Sequence, residues 1–179
     1  KKKYKVLGIE PSLKAAAEAE TNGIHTIKKF FEPSVARDMI RTYGHADLIT
    51  INNLFANVDD LHHFTKSLQI LLGKDGVIVI ESSYLKDMLN NMVFDFIYHE
   101  HLSYFSVIPL QLFFKKFGMR LIRIQKTNTK GGSLRYYWAR EESKWKTHIS
   151  VTKLVRLEKN FKISNKTFNL FNKRIDFNK

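Results

Sequence analysis

The chain of 179 residues carries 30 Lys and Arg against 17 Asp and Glu, a net charge of +13, with 44% hydrophobic and 26% charged residues. That is the make-up of an ordinary soluble domain, long enough to bury about 70% of its unfolded surface. No run of about 18 apolar residues occurs, and Lys1-Lys2-Lys3 precedes only a few apolar residues, so neither a membrane span nor a signal peptide is expected. With no cysteine, disulfides and thiolate metal sites are excluded, no metal is expected, and a reducing cytoplasm is the expected location. The positive excess fits nucleic acid, a membrane surface or an anionic small substrate. The lysines are scattered and densest at the two ends, with no basic stripe interleaved with aromatics, so nucleic acid and membrane are not the expected partners.

In chain order, Tyr4 to Glu10 reads as a short strand, followed by a helix that Pro11-Ser12 opens, the Ala-rich run to Glu20 sustains and Asn22-Gly23 ends. Ile24 to Ile27 is a second strand. Pro33-Ser34 opens a helix over Val35 to Tyr43 that Gly44 closes. Ala46 to Asn52 is nearly all apolar, as a strand buried on both faces should be. Asp59 or Asp60 caps a helix to Leu72, in which Leu61, Phe64, Leu68 and Leu71 recur at helical spacing. A Lys74-Asp75-Gly76 turn leads into a strand from Val77 to Glu81. Tyr84 to Val93 reads as helix, Leu110 to Phe117 as another that Gly118 ends, and Arg120 to Gln125 as a strand. Lys130-Gly131-Gly132 turns into a strand from Ser133 to Arg140. Ser150 to Asn172 reads as a helix whose Leu154, Leu157, Phe161, Phe168 and Phe171 suit packing on a partner. Strands alternating with helices imply βα units and a mainly parallel α/β sheet; the last two strands, joined by Gly-Gly, imply an antiparallel pair at one edge. The composition shifts near Glu141, which places a boundary between residues 1–141 and 142–179.

Residues 94 to 106, Phe-Asp-Phe-Ile-Tyr-His-Glu-His-Leu-Ser-Tyr-Phe-Ser, concentrate the chemistry. Tyr98, His99, Glu100 and His101 all handle protons, and Phe94, Phe96, Tyr104 and Phe105 surround them with apolar walls that shift pKa values and strengthen hydrogen bonds. Such a cluster is what general acid–base catalysis requires; a wet loop with solvent-facing histidines has the same composition. His62 and His63 are not spaced to place two ligands on one helix face and read as surface residues.

The order of elements resembles class I S-adenosylmethionine-dependent methyltransferases, whose Rossmann-like sheet is mainly parallel with a reversed edge strand. Val6-Leu7-Gly8-Ile9-Glu10-Pro11-Ser12 resembles that fold's second strand, Ala46-Asp47-Leu48-Ile49 with Asn52-Asn53 its fourth, and Leu72 to Val77 the turn into its fifth. The 94–106 run resembles the signature of sugar C-methyltransferases, which methylate C3 of deoxyhexoses carried on a nucleoside diphosphate. Gly131-Gly132-Ser133-Leu134-Arg135 is similar to that family's second signature.

The resemblance implies S-adenosylmethionine as cofactor and a nucleoside-diphosphate-linked 4-keto sugar as substrate. It implies His101 as the base that removes the C3 proton, Tyr98 as donor to the developing oxyanion, and Glu100 as orienter of an imidazole, or as a structural salt bridge. Glu10 falls where the family's acid binds the cofactor's ribose, although an acid before a helix is also favoured by the helix dipole. Asn53 lines the cofactor pocket or is a plain turn residue. His99 and Arg135 are assigned to the substrate, Arg135 as a phosphate clamp or as an exposed strand arginine.

Three departures accompany the resemblance. The family's first strand and glycine-rich loop precede residue 1, so the two sheet halves are expected to lack a shared neighbour and the cofactor to bind weakly. The family's zinc module and its C-terminal domain are also missing, the latter but for a helical lead-in over 142–179. Asn57 stands where the family often has His. Two rivals remain: a binding or assembly protein with a degenerate fold, and a methyltransferase of the same fold acting on another small molecule.

Overall fold

The structure, a computed structural model, describes residues 4 to 177. They form two compact units, one reaching His45 together with His62–Leu71, the other Ala46–Leu61 with Leu72 onward. The chain therefore does not divide at Glu141.

In the first unit, β1 (Gly8–Ile9) pairs in parallel with β2 (Thr26–Ile27). Both strands are shorter than the apolar runs that announce them. Gly8 is required there, because a Cβ would meet the Thr26 Oγ1 at 2.7 Å. Helix α1 (Leu13–Thr21) starts at Ser12, whose hydroxyl accepts the Ala15 N–H, and α2 (Pro33–Tyr43) ends at Gly44 with φ 84°. Helix α3 (Leu61–Leu71) packs Phe64 edge-on against Phe31, 5.5 Å between ring centres.

The second unit is built on a four-stranded sheet of order β3-β4-β6-β5, with β3 (Ala46–Asn52), β4 (Leu72–Ser83), β5 (Met119–Thr127) and β6 (Ser133–Arg140). Strands β3 and β4 are parallel, and β6 runs against both β4 and β5. The α/β class and the common direction of three strands agree with the sequence reading. The antiparallel pair at one edge agrees too, but its reversed member, β6, lies between β4 and β5, one place in from the edge. The short 127–133 connection can only return β6 antiparallel beside β5, and its other edge is then taken by β4. Strand β3 is itself an edge strand among the described residues, and Leu48 is 61% exposed, against the expectation of burial on both faces.

One face of this sheet is the core. Side chains directly opposite share a face, so Ile78 with Trp138 and Ile80 with Tyr136 form one apolar surface. Helix α5 (Val107–Lys115) lies on it, and Phe114 stacks on Trp138 at 4.0 Å. Helix α4 (Leu85–Asn90) follows β4.

Beyond Glu141 the chain forms two helices, α6 (Ile149–Phe161) and α7 (Asn165–Phe177), where one was expected. The break falls at Lys162, which adopts φ 50°. Helix α6 packs on β5 and α5, and α7 on α4. Val151, Leu154 and Phe171 are buried, whereas Leu157 and Phe168 stay exposed. The 142–179 segment thus belongs to the same compact unit as β4, β5 and β6.

Candidate functional site

The 91–106 loop crosses the carboxyl ends of β3 and β4, where open α/β sheets bind ligands. Two backbone anchors place it. Leu102 and Ser103 both donate N–H to the Ala56 carbonyl, at 2.9 and 3.2 Å, in the short 3-10 turn Phe55–Asn57 that follows β3. Phe105 forms a parallel bridge with Tyr84, directly after β4, and its carbonyl accepts the Leu85 N–H at 2.9 Å. Phe55 is fully buried and tilts against Phe105 at 5.2 Å, so the turn and the loop share one apolar seat.

Within the loop His101 is 8% exposed and Tyr98 37%. The His101 Nδ1 lies 3.0 Å from the Phe96 carbonyl oxygen. A carbonyl only accepts, so Nδ1 carries a proton, and whenever the ring is neutral Nε2 presents its lone pair. That lone pair meets the Tyr98 hydroxyl at 3.2 Å. Tyr104 donates to the same Phe96 carbonyl at 3.3 Å, and its ring stands edge-on to His101. Burial pushes the Tyr104 phenol above its ordinary value, which keeps it a donor. The result is a buried imidazole, fixed in one tautomer, joined to a phenol that reaches the surface.

The Phe96 carbonyl, and not the Glu100 carboxylate, orients the ring. Glu100 is exposed and makes no ion pair or hydrogen bond with the His101 imidazole. His99 is also exposed, edge-on to Tyr98 at 6.1 Å.

Asn53 follows β3 in a left-handed conformation, φ 55°, with its N–H on the Glu81 carbonyl at 2.9 Å. Its Oδ1 is buried with no hydrogen-bond partner, as is that of Asn57. Buried acceptors left open at a strand end, one on a strained backbone, are what a ligand's N–H or O–H groups would complete. In the other unit, Glu10 follows β1; one carboxylate oxygen accepts the Ser12 N–H at 2.8 Å. The other oxygen makes no hydrogen bond among the described residues, so it has acceptor capacity to spare.

Arg135 is not an open clamp. Its Nε and Nη2 both donate to Glu81 Oε2, at 2.9 and 2.6 Å, and Thr129 donates to Oε1 at 3.0 Å. Glu81 was not singled out from the sequence, although an acid ending an otherwise apolar strand is the signal that would have found it. It is 5% exposed, and a buried carboxylate demands such partners. The Gly131-Gly132 turn braces the loop. Gly131, at φ 72°, faces Val93, and its carbonyl accepts the Asn91 amide at 3.0 Å. Gly132 gives its carbonyl to the Tyr84 N–H at 3.1 Å. Lys130 sits over the Phe96 ring at 5.8 Å. Among the described residues no group of His, Asp or Glu could hold a metal, and no helix is long and apolar enough to cross a membrane.

The described strands and their carboxyl-end loop define a methyltransferase fold. A S-adenosylmethionine-dependent methyltransferase from Anabaena variabilis matches with a TM-score of 0.58 at 16% identity, over 76% of this chain and 68% of that one. Magnesium protoporphyrin IX methyltransferase from Synechocystis, solved with bound S-adenosylhomocysteine, matches at 0.55 and 12%, over 75% and 64%. The chain belongs to the methyltransferase domain family, whose model matches residues 1–124. It is 33% identical over 130 residues to the C-methyltransferase NovU of Streptomyces niveus, 73% of this chain and 31% of that protein. The chain thus spans less than a third of that relative's length.

Proposed function

We propose that this chain is the core of an S-adenosylmethionine-dependent C-methyltransferase acting at C3 of a 4-keto deoxysugar held on a nucleoside diphosphate. The pairing of the buried His101 with Tyr98, near the carboxyl ends of β3 and β4, carries the reading. Similarity to a C-methyltransferase and to the sugar C-methyltransferase signature supports the substrate class.

A ketone acidifies the neighbouring C–H. His101 Nε2, with Nδ1–H already satisfied by Phe96, accepts that proton, and the C–H electrons move into an enolate. Tyr98, which covers Nε2 when no substrate is present, swings its hydroxyl to the ketone oxygen and stabilises the developing charge. S-adenosylmethionine, when bound, would supply the methyl group from its sulfonium, which leaves as the neutral thioether. Asn53, whose buried Oδ1 lacks a partner, would accept a hydrogen bond from the cofactor, and the apolar seat under the loop would keep water from the enolate.

The test is methyl transfer from labelled S-adenosylmethionine to a panel of keto-sugar nucleotides, using the full-length protein. His101→Asn should lower kcat by about 10²–10⁴-fold with cofactor affinity kept. Tyr98→Phe should lower it by about 10²–10³-fold. Full turnover by His101→Asn would exclude His101 as the base.

A further inference from the structure

We propose that Glu158, on α6 and past the region the family model matches, is the positioning residue for the Tyr98–His101 pair. It rests on the proposed function only for what that pair does. Glu158 is 5% exposed, and both of its oxygens are used: one accepts the Val107 N–H at 2.5 Å, the other the Ile108 N–H at 2.9 Å. These are the first two residues of α5, and Ser106 in the N-cap position makes no side-chain cap there. A carboxylate from a helix fifty residues away thus does the capping, and the positive end of α5 favours its charge.

The capped amides are the hinge at which the 91–106 loop re-enters the core. Phe105, two residues before Val107, is the loop's bridge to Tyr84. The Tyr84 phenol is pushed up by burial and by the Glu158 carboxylate, which places that carboxylate against the same junction. Tyr104, next in line, donates to the Phe96 carbonyl. That carbonyl is the acceptor that fixes Nδ1–H on His101. The tautomer needed at Nε2 therefore depends on a carbonyl held by a tyrosine three residues from the Glu158 cap. Glutamine cannot replace the carboxylate: its single oxygen satisfies one amide, and its NH₂ faces the other donor to donor.

The experiment reads the ring, so it is independent of turnover. The intact chain is labelled with ¹⁵N-histidine, and long-range ¹H–¹⁵N spectra are recorded where imidazoles are neutral, with His101 assigned through His101→Gln. The native chain should show the Nδ1–H tautomer. Glu158→Gln should show averaged nitrogen shifts from a tautomer mixture, and Glu158→Asp, which keeps the charge but reaches less far, a smaller change in the same direction. Leu154→Ala, a buried position on the same helix, should lower the melting temperature and leave the His101 pattern unchanged. An unmoved His101 pattern in both Glu158 variants, or an equal shift in Leu154→Ala, overturns the inference. Neither outcome touches the proposed function, which stands or falls on turnover by His101→Asn.

Discussion

Gly131→Ala isolates what the Gly-Gly turn does for the loop. An alanine at φ 72° enters the left-handed region, at about 1–2 kcal/mol. Its Cβ would also lie 2.6 and 3.0 Å from the two Cγ atoms of Val93. Valine is stiff about χ1 and cannot swing clear, so the overlap adds about 1–3 kcal/mol. The expected loss is about 2–5 kcal/mol, read from the urea midpoint at constant m-value. In a Val93→Ala background the Cγ atoms are gone, and the same substitution should cost only the backbone share, about 1–2 kcal/mol. A double-mutant cycle measures the difference. A coupling energy of zero would mean that the turn does not press on Val93, and the brace described above would be wrong.

Three further outcomes follow from other parts of the fold. Burial pushes the Tyr136 phenol well above its ordinary value, so the folded chain keeps a proton that the unfolded chain releases near pH 10. Stability should hold below that pH and fall above it, by about 1.4 kcal/mol per pH unit for each such tyrosine. Tyr136→Phe removes a buried hydroxyl with no partner, so urea melts should show little loss at pH 8 and a flatter decline towards pH 11; an unaltered slope would contradict the assignment. Arg135→Met strips the buried Glu81 of its cation and should lower the denaturation midpoint, which Arg135→Met with Glu81→Gln partly restores. A double variant no more stable than the single one would show that Glu81 does not need the pair. Leu48→Lys, on the exposed edge strand, should leave stability within about 0.5 kcal/mol and reduce self-association measured by light scattering.

Much of the fold was legible because local signals and tertiary structure agree. Strand β3 and strand β6 run from Ala46 to Asn52 and from Ser133 to Arg140, as their apolar runs and flanking turns imply. Helix α2 begins at the proline and ends at the glycine that mark its bounds, since Pro and Gly act on their own φ angles and need no partner. The proton-handling run stood out in the sequence because it is contiguous, but only the structure shows that His101 is buried while His99 and Glu100 are exposed.

The partners of those residues were not legible. Whether His101 is oriented by Glu100, its neighbour in sequence, or by the Phe96 carbonyl depends on how the loop folds back, and backbone acceptors leave no trace in residue type. Arg135 reads equally as a phosphate clamp or an exposed strand residue until register sets it opposite Glu81, 54 positions away. The single helix expected beyond Glu141 broke at Lys162, and burial chose Leu154 and Phe171 over Leu157 and Phe168. Sequence alone determined the elements and the chemical groups on offer, because propensity, turn chemistry and titratable side chains are local properties. Only the tertiary structure decided which group each one faces, because burial and hydrogen-bond pairing arise between segments far apart in the chain.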